Sequence, residues 1–454
     1  MKFIVNGYLR DWVSELISTL RDLLREGLQH KLFRQTGVLL SGDAGARIIS
    51  LVALTLTLRS VGTELFGILV VAETYAKLVD RIFNFQAWTG IINFGAKALQ
   101  AGNLAALRRY VAVGFGLDVL TSVASFLCAF FLAPFVGNFL KWDSFSIHAI
   151  RCYSFLVLFN FTGTAVGILR LTERFNILAW QRIFYTSVKL SAVCLCYLLQ
   201  ANFLYFLFAW MLSEVIGYIF IVVSALVVVI RKKWLSSGKN CGSTEFSVTP
   251  FVSFVVWTNF SSTIDIPTKF LDMFIVSSLV SFEAAGVYKV FQQVGHVLKK
   301  PMEPFYQVVY PHFSNVVAKG HPGKAIWGAL RSMFLISLFV GGILIVSVGS
   351  SPWWLPAIFG SRFSAFLGDF AIYMVITSFS VVLVTINPLF MALGLVKENF
   401  IIQFFANSTF LIFAWFGANL WGLRGVLLAF GANILISHFS KMIIIVRRYG
   451  LCRK

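Results

Sequence analysis

Arg47, Lys77, Arg81, Lys189 and Lys269 lie inside stretches that otherwise read as membrane-spanning helices, and Asp43, Glu73, Asp80, Asp118, Glu214, Asp265 and Asp272 share those stretches. A charge near the bilayer centre costs about 2.5–3.5 kcal/mol on insertion scales, so it persists only where it faces protein or a water-filled cavity. Asp43 and Arg47 are four residues apart, and Glu73, Lys77, Asp80 and Arg81 follow one another on one helical face. Asp265, Lys269 and Asp272 share a face in the same way. A fourth stretch carries Lys289, His296, Lys299 and Lys300 and runs into Pro301, Pro304 and Pro311, which predict a bend.

Two chemistries fit this pattern. In one, Arg47, Lys77, Arg81, Lys269, Lys289, Lys299 and Lys300 form a cationic cavity for an anionic group. Lysine binds phosphate oxygens as a point charge, and arginine binds them with two parallel bonds. Asp43, Glu73, Asp80, Asp265 and Asp272 would then be charge partners or take up a coupling ion. In the other, the same groups are self-neutralising ion pairs that hold helices together.

The elements that must position these residues are all helices. The chain has 454 residues, of which 58% are hydrophobic and 13% charged, and its mean hydropathy is +0.82. At roughly 20 residues per crossing, it divides into about twelve spans. These lie near 36–58, 66–95, 109–134, 147–170, 177–199, 203–230, 251–280, 286–315, 327–349, 365–393, 399–417 and 422–446. Assigning loops to alternate sides puts 25 of the 38 lysines and arginines on one side and four on the other. The basic side is cytoplasmic by the positive-inside rule, which places both termini there. The net charge of +19 thus follows membrane topology and gives no reason to expect nucleic acid.

Residues 1–35 predict an amphipathic interfacial helix on the cytoplasmic leaflet rather than a signal peptide. A shift of 219 residues lays Gly62-Thr63-Glu64-Leu65-Phe66-Gly67-Ile68 on Ser281-Phe282-Glu283-Ala284-Ala285-Gly286-Val287. Further on, Ala133-Pro134-Phe135-Val136-Gly137 resembles Pro356-Ala357-Ile358-Phe359-Gly360. The expected organisation is two parallel six-helix repeats, 36–230 and 251–446, joined by a cytoplasmic linker, 231–250, and followed by a tail, 447–454. Binding sites of such proteins sit between the repeats near mid-membrane.

Other chemistry is weakly represented. No P-loop is present, His148, His312, His321 and His438 are scattered, and the six cysteines lack metal-site spacing. No cofactor, metal or catalytic residue is expected, and the chain does not read as an enzyme. The longest loop on the less basic side, near 352–364, leaves little room for a polysaccharide polymerase.

Leu40-Ser41-Gly42 leading to Leu58-Arg59-Ser60-Val61-Gly62-Thr63-Glu64-Leu65-Phe66-Gly67 resembles the opening of polysaccharide-biosynthesis flippases, the O-antigen and related repeat-unit flippases of the MOP superfamily. Thr258-Asn259-Phe260-Ser261-Ser262-Thr263-Ile264-Asp265, then Leu271-Asp272 and Ala284-Ala285-Gly286-Val287-Tyr288-Lys289, is similar to the same family. The resemblance covers about residues 36–446. It implies a two-lobed helical fold with a central cationic cavity in the bacterial inner membrane. It further implies movement of undecaprenyl-pyrophosphate-linked oligosaccharide between leaflets, with a polysaccharide polymerase and a chain-length regulator as partners beside the membrane lipids. A small-molecule exporter of the MATE type has the same fold and is the alternative. For a cationic drug, however, the interior would need an excess of acids.

Overall fold

A computed structural model of the protein describes residues 31–450, except for 86, 233, 235–246, 263–265, 267–269 and 301. Among the described residues every regular element is helical. Each stretch anticipated from hydropathy contains helix among the described residues, and those near 66–95 and 147–170 are interrupted. Seven are long and apolar enough to cross a membrane by length and composition, or eight when the bent pair Ser144–Leu158 and Gly163–Leu171 counts as one span. The protein is a multi-pass membrane protein. The expected N-terminal interfacial helix lies outside the described residues.

The first element, α1 (Lys31–Phe83), has one non-helical residue, Gly62, at φ 83°. Glycine adopts positive φ without a Cβ penalty, and here that allows two helical arms, 31–61 and 63–83, to fold back on each other. If the helix were straight, Arg47 and Lys77 would stand about 45 Å apart at 1.5 Å per residue. Instead both line one cavity, and Thr57 and Phe66, on opposite sides of the turn, both touch Trp210.

The second arm ends at Phe83, and its span continues as α2 (Ala87–Gln100) after a break. After α3 (Leu104–Phe139), the next span is broken into α4 (Ser144–Tyr153), α5 (Phe155–Leu158) and α6 (Gly163–Leu171), with a bend of 41°. Two long helices, α7 (Phe175–Leu198) and α8 (Phe203–Arg231), complete the first half. The second half begins with α9 (Val248–Ser262) and α10 (Asp272–Leu279). It continues through α11 (Phe282–Lys299), α12 (Met302–Ala318), α13 (Pro322–Gly349) and α14 (Ser351–Phe359). It then runs through α15 (Leu367–Val382), α16 (Ile386–Ala392), α17 (Val396–Trp421) and α18 (Leu423–Tyr449).

The breaks recur in the two halves. A 3-10 turn at Leu383–Thr385 separates α15 from α16, as residues 159–162 separate α5 from α6. The separation of α11 from α12 falls just before Pro301, as the prolines predicted.

Backbone freed at these breaks must find partners inside the protein, because lipid offers none. Asparagines supply them. Asn84 donates from Nδ2 to Asn160 O (3.0 Å) and to Asp80 Oδ1 (3.1 Å). Asn160 donates to Asp80 Oδ2 (2.7 Å), and Asn259 on α9 donates to Ile82 O (3.1 Å). Asp118 on α3 accepts from Thr164 N at the start of α6 (2.5 Å). Residues of three spans are thus joined by hydrogen bonds.

The largest buried apolar cluster draws on both halves, from Leu54 and Phe66 to Phe291, Phe370 and Phe410. At the Gly62 end the halves meet backbone to backbone. A Cβ on Gly67 would stand 1.8 Å from Phe282 O, and one on Gly286 would stand 2.7 Å from Thr63 O.

Candidate functional site

The fold-back of α1 brings its two charged arms beside α7, α8 and α11, and a cavity of about 350 Å3 opens among them. Its walls carry five bases, Arg47, Lys77, Arg182, Lys189 and Lys289, and three acids, Asp43, Glu73 and Glu214. Ser50, Tyr185, Thr186, Gln292, Gln293 and His296 add groups that bind hydroxyls and phosphate oxygens well.

The charges form two connected sets. In the first, Lys77 Nζ lies 2.5 Å from Glu73 Oε1 and 3.0 Å from Glu214 Oε1. Lys189 reaches Glu214 at 3.4 Å and also lies over the Trp210 ring, 4.1 Å from its centroid. Lys289 reaches Glu73 Oε2 at 3.3 Å. In the second set, Asp43 pairs with Arg182 and, at 2.9 Å, with Lys300. The Glu73–Lys289 and Asp43–Lys300 pairs each join the first half of the chain to the second.

Exposure separates Lys77 and Arg182 from the acids, while Lys189, at 5%, is buried with them. The side chains of Glu73, Glu214 and Asp43 are 9, 7 and 14% exposed, whereas those of Lys77 and Arg182 are 40 and 43% exposed. Lys289 and Lys300 stand between, at 20 and 18%. The acids lie beneath and hold the bases in place, so an entering ligand meets mostly cations. Arg47 carries a further unused capacity, since its buried Nε has no hydrogen-bond partner.

Of the residues proposed from sequence, Arg47, Lys77, Lys289, Asp43 and Glu73 line the cavity, and Lys300 joins it through Asp43. Four others have different surroundings. Asp80 is engaged by Asn84 and Asn160 at the helix break, and Arg81, next to it, is not among the lining residues. Buried Asp272 accepts from Tyr288 (2.9 Å) and Gln292 (3.0 Å). Lys299 lies over the Phe430 ring. Lys269 and Asp265 lie outside the described residues.

Sequence reasoning left Arg182, Lys189, Glu214 and His296 out of the site. Lys189 and Glu214 carried the same signal as the rest, a lone charge in an apolar run. Arg182, one of the 25 bases that alternation of loops assigns to the basic side, stands on α7 against Asp43. Lys441, grouped likewise, is 2% exposed and bonds Asn387 at 2.6 Å. Among the described residues no three His, Cys, Asp or Glu converge as metal ligands.

At the Gly62 end the halves are clasped by polar contacts. Thr63 donates to Glu283 (2.8 Å), which Arg362 also meets at 3.4 Å. Arg59 donates to the carbonyls of Ile358 (2.8 Å) and Ala357.

Residues 32–317 match the family model described as polysaccharide biosynthesis protein. A curated relative, the inner membrane protein YghQ of Escherichia coli (strain K12), is 27% identical over 157 residues, which are 35% of this chain and 44% of that protein. The alignment therefore spans less than half the length of that relative. Among solved structures, the lipid II flippase MurJ in an inward closed conformation matches with a TM-score of 0.68 at 15% identity, covering 90% of this chain and 87% of that one. A multidrug resistance MATE family transporter of the MOP superfamily, inward-facing, matches with a TM-score of 0.65 at 13% identity, covering 91 and 95%. These structural likenesses establish a shared fold.

Proposed function

We propose, for a chain that belongs to the polysaccharide biosynthesis protein family, that it moves a lipid-linked oligosaccharide with an anionic head group across the membrane by alternating access. The observation that carries this reading is the exposure of Lys77 and Arg182 beside buried Glu73 and Glu214 and the largely covered Asp43. Such a surface suits the pyrophosphate of an undecaprenyl carrier, or acidic sugars on it. An exporter of cationic drugs in the same fold would need the opposite arrangement, with acids presented and bases beneath.

In this reading the lobes are 36–230 and 251–446, and the cytoplasmic side is the one that collects 25 of the 38 bases. The head group binds between the lobes at Arg47, Lys77, Arg182 and Lys289 while the prenyl tail stays in lipid. An incoming anion competes with Glu73 and Asp43 for bases of the second lobe, which weakens the two ion pairs that join the lobes. The Gly62 end is outward and opens when the lobes rock. The bacterial inner membrane is the expected location, with a polysaccharide polymerase downstream.

The test is the lipid-linked sugar content of a deletion strain. Repeat units should accumulate on the cytoplasmic leaflet while surface polymer is lost. Normal surface polymer without accumulation, in a strain with no second flippase, would sink the reading.

A further inference from the structure

A second cavity lies in the first half of the chain, apart from the charged one. It occupies about 480 Å3 between α3, α6 and α8 and is lined by apolar side chains such as Leu107, Val111, Ala165, Ile168 and Ala225. Helix α8 serves both cavities. Glu214 faces the charged one, and Ala225, three turns further along, faces this one. Phe115 and Leu226, at 40 and 52% exposure, mark a side open to the bilayer. Water has almost no polar partners here and is a poor occupant.

One base stands in the wall, Arg108. Its Nε donates to Leu104 O at 3.4 Å, and its two terminal nitrogens have no other partner among the described residues. Arg109 is adjacent to it, and Arg231 and Lys232 follow the end of the α8 wall. An apolar slot between helices, open to lipid and carrying Arg108 in its wall, matches the charge and shape of a phosphate-headed lipid.

We propose that this cavity holds one acyl chain of an anionic phospholipid from the leaflet on the basic side, with Arg108 gripping its phosphate. The site is independent of the transported substrate. Its lipid would brace α6, which begins just after the break at residues 159–162, against α3 and α8.

The test uses the purified full-length protein in mild detergent, with native mass spectrometry during titration with phosphatidylglycerol or phosphatidylcholine. Wild type should retain one phosphatidylglycerol in clear preference to phosphatidylcholine. Arg108→Glu should lower phosphatidylglycerol retention about tenfold, whereas Arg174→Glu, an exposed base elsewhere, should not. Ala225→Phe should abolish retention of both lipids by filling the slot. If it does not run as a single folded species in size exclusion, the smaller Ala225→Leu takes its place. Equal retention of the two lipids, no loss in Arg108→Glu, or no loss on filling the slot would overturn the proposal. So would recovery of a polyprenyl phosphate in place of the phospholipid, because the slot would then be a substrate-tail site.

Discussion

Lys189 and Glu214 illustrate how two roles of buried charge separate at single residues. Lys189 is 4% exposed, and the contacts of its ammonium are Glu214 and the Trp210 face. Glu214→Ala therefore strands a buried cation, at a cost of about 3–5 kcal/mol. Membrane abundance and melting temperature should both fall, and adding Lys189→Met should restore them. Lys77 differs because each acid it touches keeps another base, Glu73 with Lys289 and Glu214 with Lys189. Lys77→Ala should leave abundance near wild type and still impair transport. A comparable loss of abundance in Lys77→Ala and Glu214→Ala, measured by membrane immunoblot, would contradict this division. The charges themselves were legible in the sequence as polar residues in apolar runs. Their pairings were not, because Glu73–Lys289 spans 216 residues and Lys77–Glu214 spans 137.

At the scale of elements, the fold-back at Gly62 decides where the site sits, and other breaks interrupt the spans around it. The break before Pro301 could be read from the sequence, since proline disfavours a helical predecessor. The breaks at 84–85 and 159–162 could not. Asn84-Phe85-Gln86 and Phe159-Asn160-Phe161-Thr162 contain neither proline nor glycine, and both spans read as continuous. What holds them open is long-range, the bonds of Asp80, Asn84, Asn160 and Asn259 across three spans. The Thr258-Asn259 segment, which resembled the family in sequence, thereby acquires a physical task. Asn259→Leu should leave Ile82 O without that donor and cost about 1–3 kcal/mol, seen as a lower melting temperature. Thr258→Val, on the same helix, keeps that bond and should have a smaller effect. Equal melting temperatures for Asn259→Leu and wild type would show that the joint carries no stability.

For the whole molecule, both halves have an interrupted span, at residues 159–162 and at Leu383–Thr385, and both contribute residues to the charged cavity. Gly62 and Ser281, which the sequence repeat lays on each other, each mark a change of helix. Sequence could not reveal that the Gly62 end is sealed by glycine-to-backbone packing, Gly67 on Phe282 and Gly286 on Thr63. If the halves rock, that seal must part. Thr63→Cys with Glu283→Cys, in a background without native cysteines, should be joined by a short bis-methanethiosulfonate, which forms a reducible disulfide with each thiol. Transport should stop on cross-linking and return on reduction. Undiminished transport in the cross-linked protein would rule out opening at this end. Cysteines placed at Lys141 and Ser361 should react with a membrane-impermeant reagent in intact spheroplasts, as the distribution of bases requires. Protection at both positions would reverse the orientation.

Arg47 allows the most direct measurement of the central claim. It lines the cavity and its Nε has no partner, so replacing it strands no buried acid and leaves charge as the main change. Wild type, Arg47→Lys and Arg47→Gln would be reconstituted in proteoliposomes with a polyprenyl-pyrophosphate-linked oligosaccharide, and movement between leaflets followed with a sugar-binding probe outside. The account predicts equal melting temperatures, a transport rate at least about tenfold lower for Arg47→Gln, and an intermediate rate for Arg47→Lys, which keeps the charge but loses the paired bonds. A wild-type rate in Arg47→Gln would contradict a cationic head-group site in this cavity.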